Sequence, residues 1–172
     1  MTPSSPSDGC GAAPLHDGGL YLEGTGGAAT IERVNYELYM GAALAEARAA
    51  AATGEAPDGA VAVLDEAMVA RGRSAVATTG DPTAHAVINV VREAARKLGR
   101  ADLSGLIVFS AVEPCTMCIG ALLESDVHGL VYATPDAKSG AASSVAKGQL
   151  EIVSGIMQRE AAELRLAAVR GH

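Results

Sequence analysis

Apolar residues recur at Ile31, Val34, Leu38 and Ala42, a spacing that predicts a helix from Ile31 to Ala52. The stretch Thr53-Gly54-Glu55-Ala56-Pro57-Asp58-Gly59 interrupts it with turn formers. Two short apolar runs follow, Ala60-Val61-Ala62-Val63-Leu64 and Ala67-Met68-Val69-Ala70, on either side of the acidic pair Asp65-Glu66. That pattern predicts a β-hairpin. Arg71 to Gly80 is expected to be a loop. At Asp81-Pro82-Thr83, an Asp cap with Pro at the first helical position predicts a second helix. It should run to Leu98 and end at Gly99. Leu106-Ile107-Val108-Phe109 has the continuous apolar character of a buried strand. Pro114 is expected to open a third helix carrying Cys115, Cys118, Ala121 and Leu122. A strand at Leu130-Val131-Tyr132-Ala133, a short one from Leu150 to Val153 and a last helix ending near Val169 complete the chain. Strands alternating with helices predict an α/β sheet covered on both faces.

Residues 1–29 carry Gly, Ser, Pro and Ala with no sustained apolar period, which predicts a disordered tail before a single domain at 30–172. Leu15, Tyr21 and Leu22 in that tail could cover a pocket. Aromatic residues make up only 3% of the chain, with one Phe and no Trp, so the core must be built from Ala, Val, Leu and Ile. The formal net charge of −7 argues against a broad nucleic-acid footprint, because such surfaces collect Lys and Arg. No apolar run approaches the roughly 20 residues that span a bilayer, and the first residues lack a signal-peptide layout. The expectation is a cytoplasmic protein.

The chain has three cysteines. Cys10 stands alone and receives no role. Cys115 and Cys118 lie three apart, which suits a metal or a redox pair better than a structural disulfide, and which is also compatible with two small buried hydrophobes. On one helix their sulfurs share a face. In its first turn the helix dipole would favour thiolate, the form that binds metal. His85, thirty residues upstream of Cys115, sits near the start of another predicted helix and offers a third ligand. Three protein ligands leave one tetrahedral position for water, the pattern of a catalytic zinc site.

Three stretches, Asp81-Pro82-Thr83-Ala84-His85-Ala86, Glu113-Pro114-Cys115-Thr116-Met117-Cys118 and Asp136-Ala137-Lys138-Ser139-Gly140-Ala141-Ala142, resemble the signatures of the cytidine deaminase superfamily. The likeness is to its bacterial tRNA adenosine deaminases and guanine deaminases. Leu150 to Arg170 is similar to the closing strand and helix of the tRNA enzymes. The resemblance implies a three-layer α/β/α fold around a five-stranded mixed sheet and a homodimer. It also implies a Zn2+ cofactor held by His85, Cys115 and Cys118, and hydrolytic deamination of a purine or pyrimidine base or nucleoside.

At one position the chain departs from the family signature. That signature places Glu two residues after the ligand His, where it carries protons between oxygen and nitrogen. This chain has Val87. A positioned acid/base is worth about 10²–10⁴ in rate. Glu113 is the carboxylate nearest in sequence to the Cys pair and is carried as a catalytic candidate. Asp58, in the loop where the family backbone lines the pocket, is carried with Ser74 and Ala86 as a substrate contact. Ser74 stands eleven residues before His85, where related nucleoside deaminases often have Asn. The tRNA enzymes usually carry a longer stretch after the Ala142 position. Only Ser143 to Gln149 follows here, which with the acidic balance makes nucleic acid an unlikely partner. Three activities follow: a deaminase-type hydrolase, a repurposed zinc enzyme, or a zinc-binding pseudoenzyme that holds a base or a partner subunit.

Overall fold

The structure is a computed structural model, described here over residues 34–145 and 148–170. The predicted tail at 1–29, with Leu15, Tyr21 and Leu22, lies outside the described residues. The elements run α1 (Tyr36–Ala52), β1 (Gly59–Leu64), β2 (Ala67–Arg73), α2 (Val76–Thr79), α3 (Ala86–Leu98), β3 (Ile107–Val112), α4 (Thr116–Glu124), β4 (Gly129–Thr134), β5 (Glu151–Ser154) and α5 (Gln158–Arg170). No helix among the described residues is long and apolar enough to cross a membrane.

The strands form one five-stranded sheet in the order β2-β1-β3-β4-β5. β1 is antiparallel to β2 and β3, while β3, β4 and β5 are parallel. The hairpin turn falls on Asp65 and Glu66, both with positive φ (48° and 62°), as the right-handed strand twist favours in two-residue hairpins. The Tyr39 hydroxyl donates to the Glu66 carbonyl and ties this turn to α1.

Strand alternation splits the core into two layers. Ala60, Ala62, Val108 and Leu130 face α3 and α4, where they meet Val87, Val90, Val91, Cys118, Ile119 and Leu122. Val61, Val63, Ile107, Phe109, Val131 and Ala133 face α1, against Tyr39, Met40, Ala43, Leu44 and Ala47. Phe109 is fully buried, with the rings of Tyr36 and Tyr39 centred 6.2 Å and 5.3 Å away. The fold is the expected three-layer α/β/α sandwich.

Two helix starts differ from those expected. The Asp81 side chain does not cap α3. Its Oδ1 accepts from the amide and hydroxyl of Thr83 in a local turn, 2.8 Å and 2.7 Å away, a competing use of a short acceptor. The helix begins at Ala86 with His85 at the N-cap. Pro114 likewise precedes α4, whose N-cap is Cys115. The segment expected as a loop after Arg71 continues as β2 to Arg73 and then forms the one-turn helix α2.

Candidate active site

One edge of the sheet gathers the chemistry. β1 is antiparallel to β3, so the beginning of β1 lies beside the end of β3, and β4 ends there as well. Residues 55–58, 113–115 and 135–139 therefore converge where α3 and α4 start. Ligand sites in open α/β sheets favour this carboxyl-end crevice. Here it holds a cavity of about 470 Å³, lined in part by Asp58, Ser74, His85, Val87, Cys115 and Cys118.

His85 and Cys115 both occupy helix N-caps with extended backbone, and neither makes a side-chain cap hydrogen bond. Ser, Thr, Asp or Asn at such a position stabilises a helix by about 1 kcal/mol. Both caps are given over to side chains that aim at one point. His85 Nδ1 lies 3.5 Å from Cys115 Sγ and 3.6 Å from Cys118 Sγ, and the two sulfurs are 3.7 Å apart. Bonds of about 2.0 Å to nitrogen and about 2.3 Å to sulfur, at tetrahedral angles, would set these edges at about 3.5 Å and about 3.8 Å. The triangle is thus the right size for one ion bound by all three, and the three residues form a group able to hold a metal.

The Cys118 sulfur is not the ready thiolate expected from the helix dipole. Burial pushes the Cys118 thiol up, and the neighbouring Cys115 sulfur and the Asp58 charge push it further. Desolvation outweighs the dipole, so a metal must displace a proton to bind.

Around this point most carboxylates are committed to backbone. Glu55, nearly fully buried, accepts from the amides of Ala77 (3.2 Å) and Thr78 (2.6 Å) and from the Ser74 hydroxyl (3.4 Å). It caps the start of α2, and the Thr78 amide leads in holding its carboxyl below the usual range. Sequence reasoning assigned Glu55 no role; an acid inside a turn segment gives no sign that it will be buried. Ser74, a candidate substrate contact, lines the cavity but is fixed by Glu55 and by its own amide, which donates to the Asp58 carbonyl at 3.0 Å.

Glu113 accepts from the amides of Asp136 (3.1 Å) and Ala142 (3.0 Å), one oxygen each. It clamps the loop that closes one wall. A Cβ on Gly140 would lie 2.2 Å from the Glu113 carboxylate, so the clamp requires glycine there. Glu113→Ala should lower stability by about 2 kcal/mol through loss of two charged hydrogen bonds, read from urea unfolding. Asp136 accepts from Ser139 Oγ (2.5 Å) and Arg165 (3.2 Å), and its carboxyl is held low, first by that hydroxyl. Ala86 is fully buried in the core layer and is not among the residues lining the cavity.

Asp58 is the exception. Its Oδ1 is buried and has no hydrogen-bond partner among the described residues, although other parts of the residue are half-exposed. Burial raises its carboxyl from the ordinary 3.8 to about 7, against the opposing pull of Arg165 and the Gly59 amide.

A three-layer α/β/α sandwich with a His/Cys/Cys group able to hold a metal at paired helix starts defines an α/β protein of the deaminase-like type. The chain belongs to the cytidine and deoxycytidylate deaminase family, whose zinc-binding-region model matches residues 33–134. It is 37% identical over 134 residues to the tRNA-specific adenosine deaminase of Agrobacterium fabrum, covering 73% of this chain and 88% of that protein. It is 42% identical over 77 residues to the guanine deaminase of Bacillus subtilis, covering 45% of this chain and 49% of that protein. Among solved structures, one from work on A-to-I editing by tRNA:A34 deaminases superposes with a TM-score of 0.70 at 36% identity, covering 74% of this chain and 98% of that one.

Proposed function

We propose that this chain is a zinc-dependent hydrolytic deaminase acting on a small amino-substituted purine or pyrimidine base or nucleoside. The observation that carries the reading is the ligand triangle, with edges of 3.5, 3.6 and 3.7 Å, opening onto a cavity of about 470 Å³. That volume lies in the ordinary range for small-molecule sites. His85, Cys115 and Cys118 hold the ion, which supplies Lewis acidity that makes water nucleophilic near neutral pH. Glu55, Glu113 and their hydrogen-bonded turns keep the surrounding walls rigid.

A free base fits this wall better than an anticodon loop. Glu55, Asp58, Glu113 and Asp136 line the cavity against a single guanidinium, that of Arg165. Four carboxylates give the wall an excess of negative charge, which repels phosphate. Assembly as a homodimer belongs to the same reading, and sedimentation at micromolar concentration tests it.

The expected result is about one zinc per purified chain and ammonia release from at least one of guanine, adenine, cytosine or their nucleosides. Zinc without ammonia from any of them sinks the catalytic reading. Buried Val87, apolar beside the triad, favours a second reading: a zinc protein that binds a base without turning it over. A base that raises the melting temperature but releases no ammonia would mark it.

A further inference from the structure

We propose that Asp58 is the proton carrier of this site, a carboxylate supplied from the start of β1 instead of from α3. The inference rests on the deaminase reading and names the group that performs its acid/base work.

Placement is the first support. Asp58 precedes β1 by one residue, and strand alternation puts it on the same face as Ala60 and Ala62. That face packs against α3 and α4, which carry Val87 and Cys118. Asp58, Val87, His85 and Cys118 accordingly line one cavity.

Elimination is the second support. A proton carrier must have a free oxygen. Glu55 is taken by Ser74, Ala77 and Thr78, Glu113 by Asp136 and Ala142, and Asp136 by Lys138, Ser139 and Arg165. Val87 has no ionisable atom. Among the described wall carboxylates, the oxygen left buried and unpartnered belongs to Asp58. A buried polar atom without a partner costs stability, and a catalytic role is one of the reasons such an atom is kept.

Rigidity is the third. The Asp58 amide donates to the Ala56 carbonyl at 2.7 Å, and its carbonyl accepts from Ser74. The charged and titratable groups around it are Arg165 on α5, Asp136 and Glu113 on the loops after β4 and β3, Glu55 after α1, and His85 and Cys118 at the two helix starts. Burial, helped by the Asp136 charge and opposed by Arg165 and the Gly59 amide, raises the carboxyl to about 7, where one group can both take and return a proton.

The chemistry balances with water as the co-reactant. Water forms a C–O bond at the ring carbon bearing the amino group, and one of its protons passes to the Asp58 carboxylate and on to the adjacent ring nitrogen. The second proton then leaves the new hydroxyl through Asp58 to the amino nitrogen. The C–N bond breaks with its electron pair on nitrogen, ammonia departs, and a ring carbonyl remains. Nothing is oxidised or reduced.

The test compares four zinc-loaded chains: the native one, Asp58→Asn, Val87→Glu, and Asp58→Asn with Val87→Glu. Guanine, adenine and cytosine serve as probes, read by ammonia release, zinc content and base-induced melting shift. Asp58→Asn should lower kcat by about 10²–10⁴ while KM, zinc content and the melting shift stay close to native. Adding Val87→Glu should restore turnover. Asp58→Ser repeats the comparison with a smaller side chain if the Asn variant loses zinc or its cooperative melting. Equal turnover by the native and Asp58→Asn chains overturns the proposal and leaves the deaminase reading intact. So does a raised KM with kcat kept, which would make Asp58 a grip on the substrate. A native chain that is idle where Val87→Glu is active overturns the proposal and the deaminase reading of the native chain together. No ammonia from any of the four overturns both.

Discussion

Cys118→Ser should empty the site of zinc and remove most of its stabilising effect. Of the three residues that form the triangle, Cys118 is the most deeply buried, at 2% exposure. Serine keeps the shape at that position but offers a hydroxyl that does not ionise near neutral pH, so the ion retains one imidazole and one sulfur. Binding to the folded state stabilises by RT ln(1 + [L]/Kd), about 4 kcal/mol at a thousandfold excess over Kd. For a chain of this size that corresponds to a melting change of about 10 °C. Stripping zinc from the native chain with a chelator should therefore lower its melting temperature by roughly that amount, whereas the same treatment of Cys118→Ser should do little. Equal zinc content in the two chains, by metal analysis, would remove Cys118 from the ligand set. The raised Cys118 thiol adds a pH signature. Its proton must leave when metal enters, so apparent zinc affinity should fall about tenfold per pH unit for that proton as the solution is acidified.

The parts of this molecule that were legible in its sequence are those set by local pattern. The hairpin around Asp65-Glu66 follows from two short apolar runs and a two-residue gap, and Gly99 ends α3 in the left-handed region at φ 66° because that conformation suits glycine. The convergence of His85, Cys115 and Cys118 was legible because the stretches around them resemble family signatures that imply one shared metal, whereas the spacing alone left a redox pair or two buried hydrophobes open. The helix starts were misplaced by about three residues at α3 and about two at α4 because Asp81 and Pro114 carry start signals that neighbouring turns use instead. The ionisation of Cys118 was misjudged because burial is a property of the packed core and not of the helix alone.

The acids around the cavity show the same limit. In the sequence, Glu55, Asp58 and Glu113 are three carboxylates beside Pro or Gly in turn segments. What separates them is the set of amides that folding brings within reach. Two find backbone donors from segments more than twenty residues away, Glu55 at Thr78 and Glu113 at Asp136, while the Asp58 Oδ1 finds none among the described residues. No local period encodes that difference.

Replacing Gly59 should be among the most damaging single changes in the chain, and its effect should reach the active site. Gly59 opens β1 directly after Asp58, where α1 crosses the sheet. A Cβ there would lie 2.3 Å from the Ala43 carbonyl oxygen and 2.3 Å from the Ala47 amide nitrogen. Both are backbone atoms of a helix, so no side-chain rotation relieves the clash. The helix or the strand must move. Overpacking a core commonly costs about 1–3 kcal/mol, and a collision with fixed backbone belongs at the upper end. Gly59→Ala should therefore lower the melting temperature by about 6–12 °C. Gly41, also in α1, provides the contrast, because a Cβ there would meet nothing within 4 Å. Gly41→Ala should leave stability unchanged or raise it by about 0.5–1 kcal/mol through better helix propensity. Because β1 fixes the backbone of Asp58, relief of the clash at Gly59 should also displace that carboxylate. Turnover by Gly59→Ala should fall further than its folded fraction, measured by circular dichroism at the assay temperature. Turnover that simply tracks the folded fraction would show that Asp58 holds its place independently of the strand.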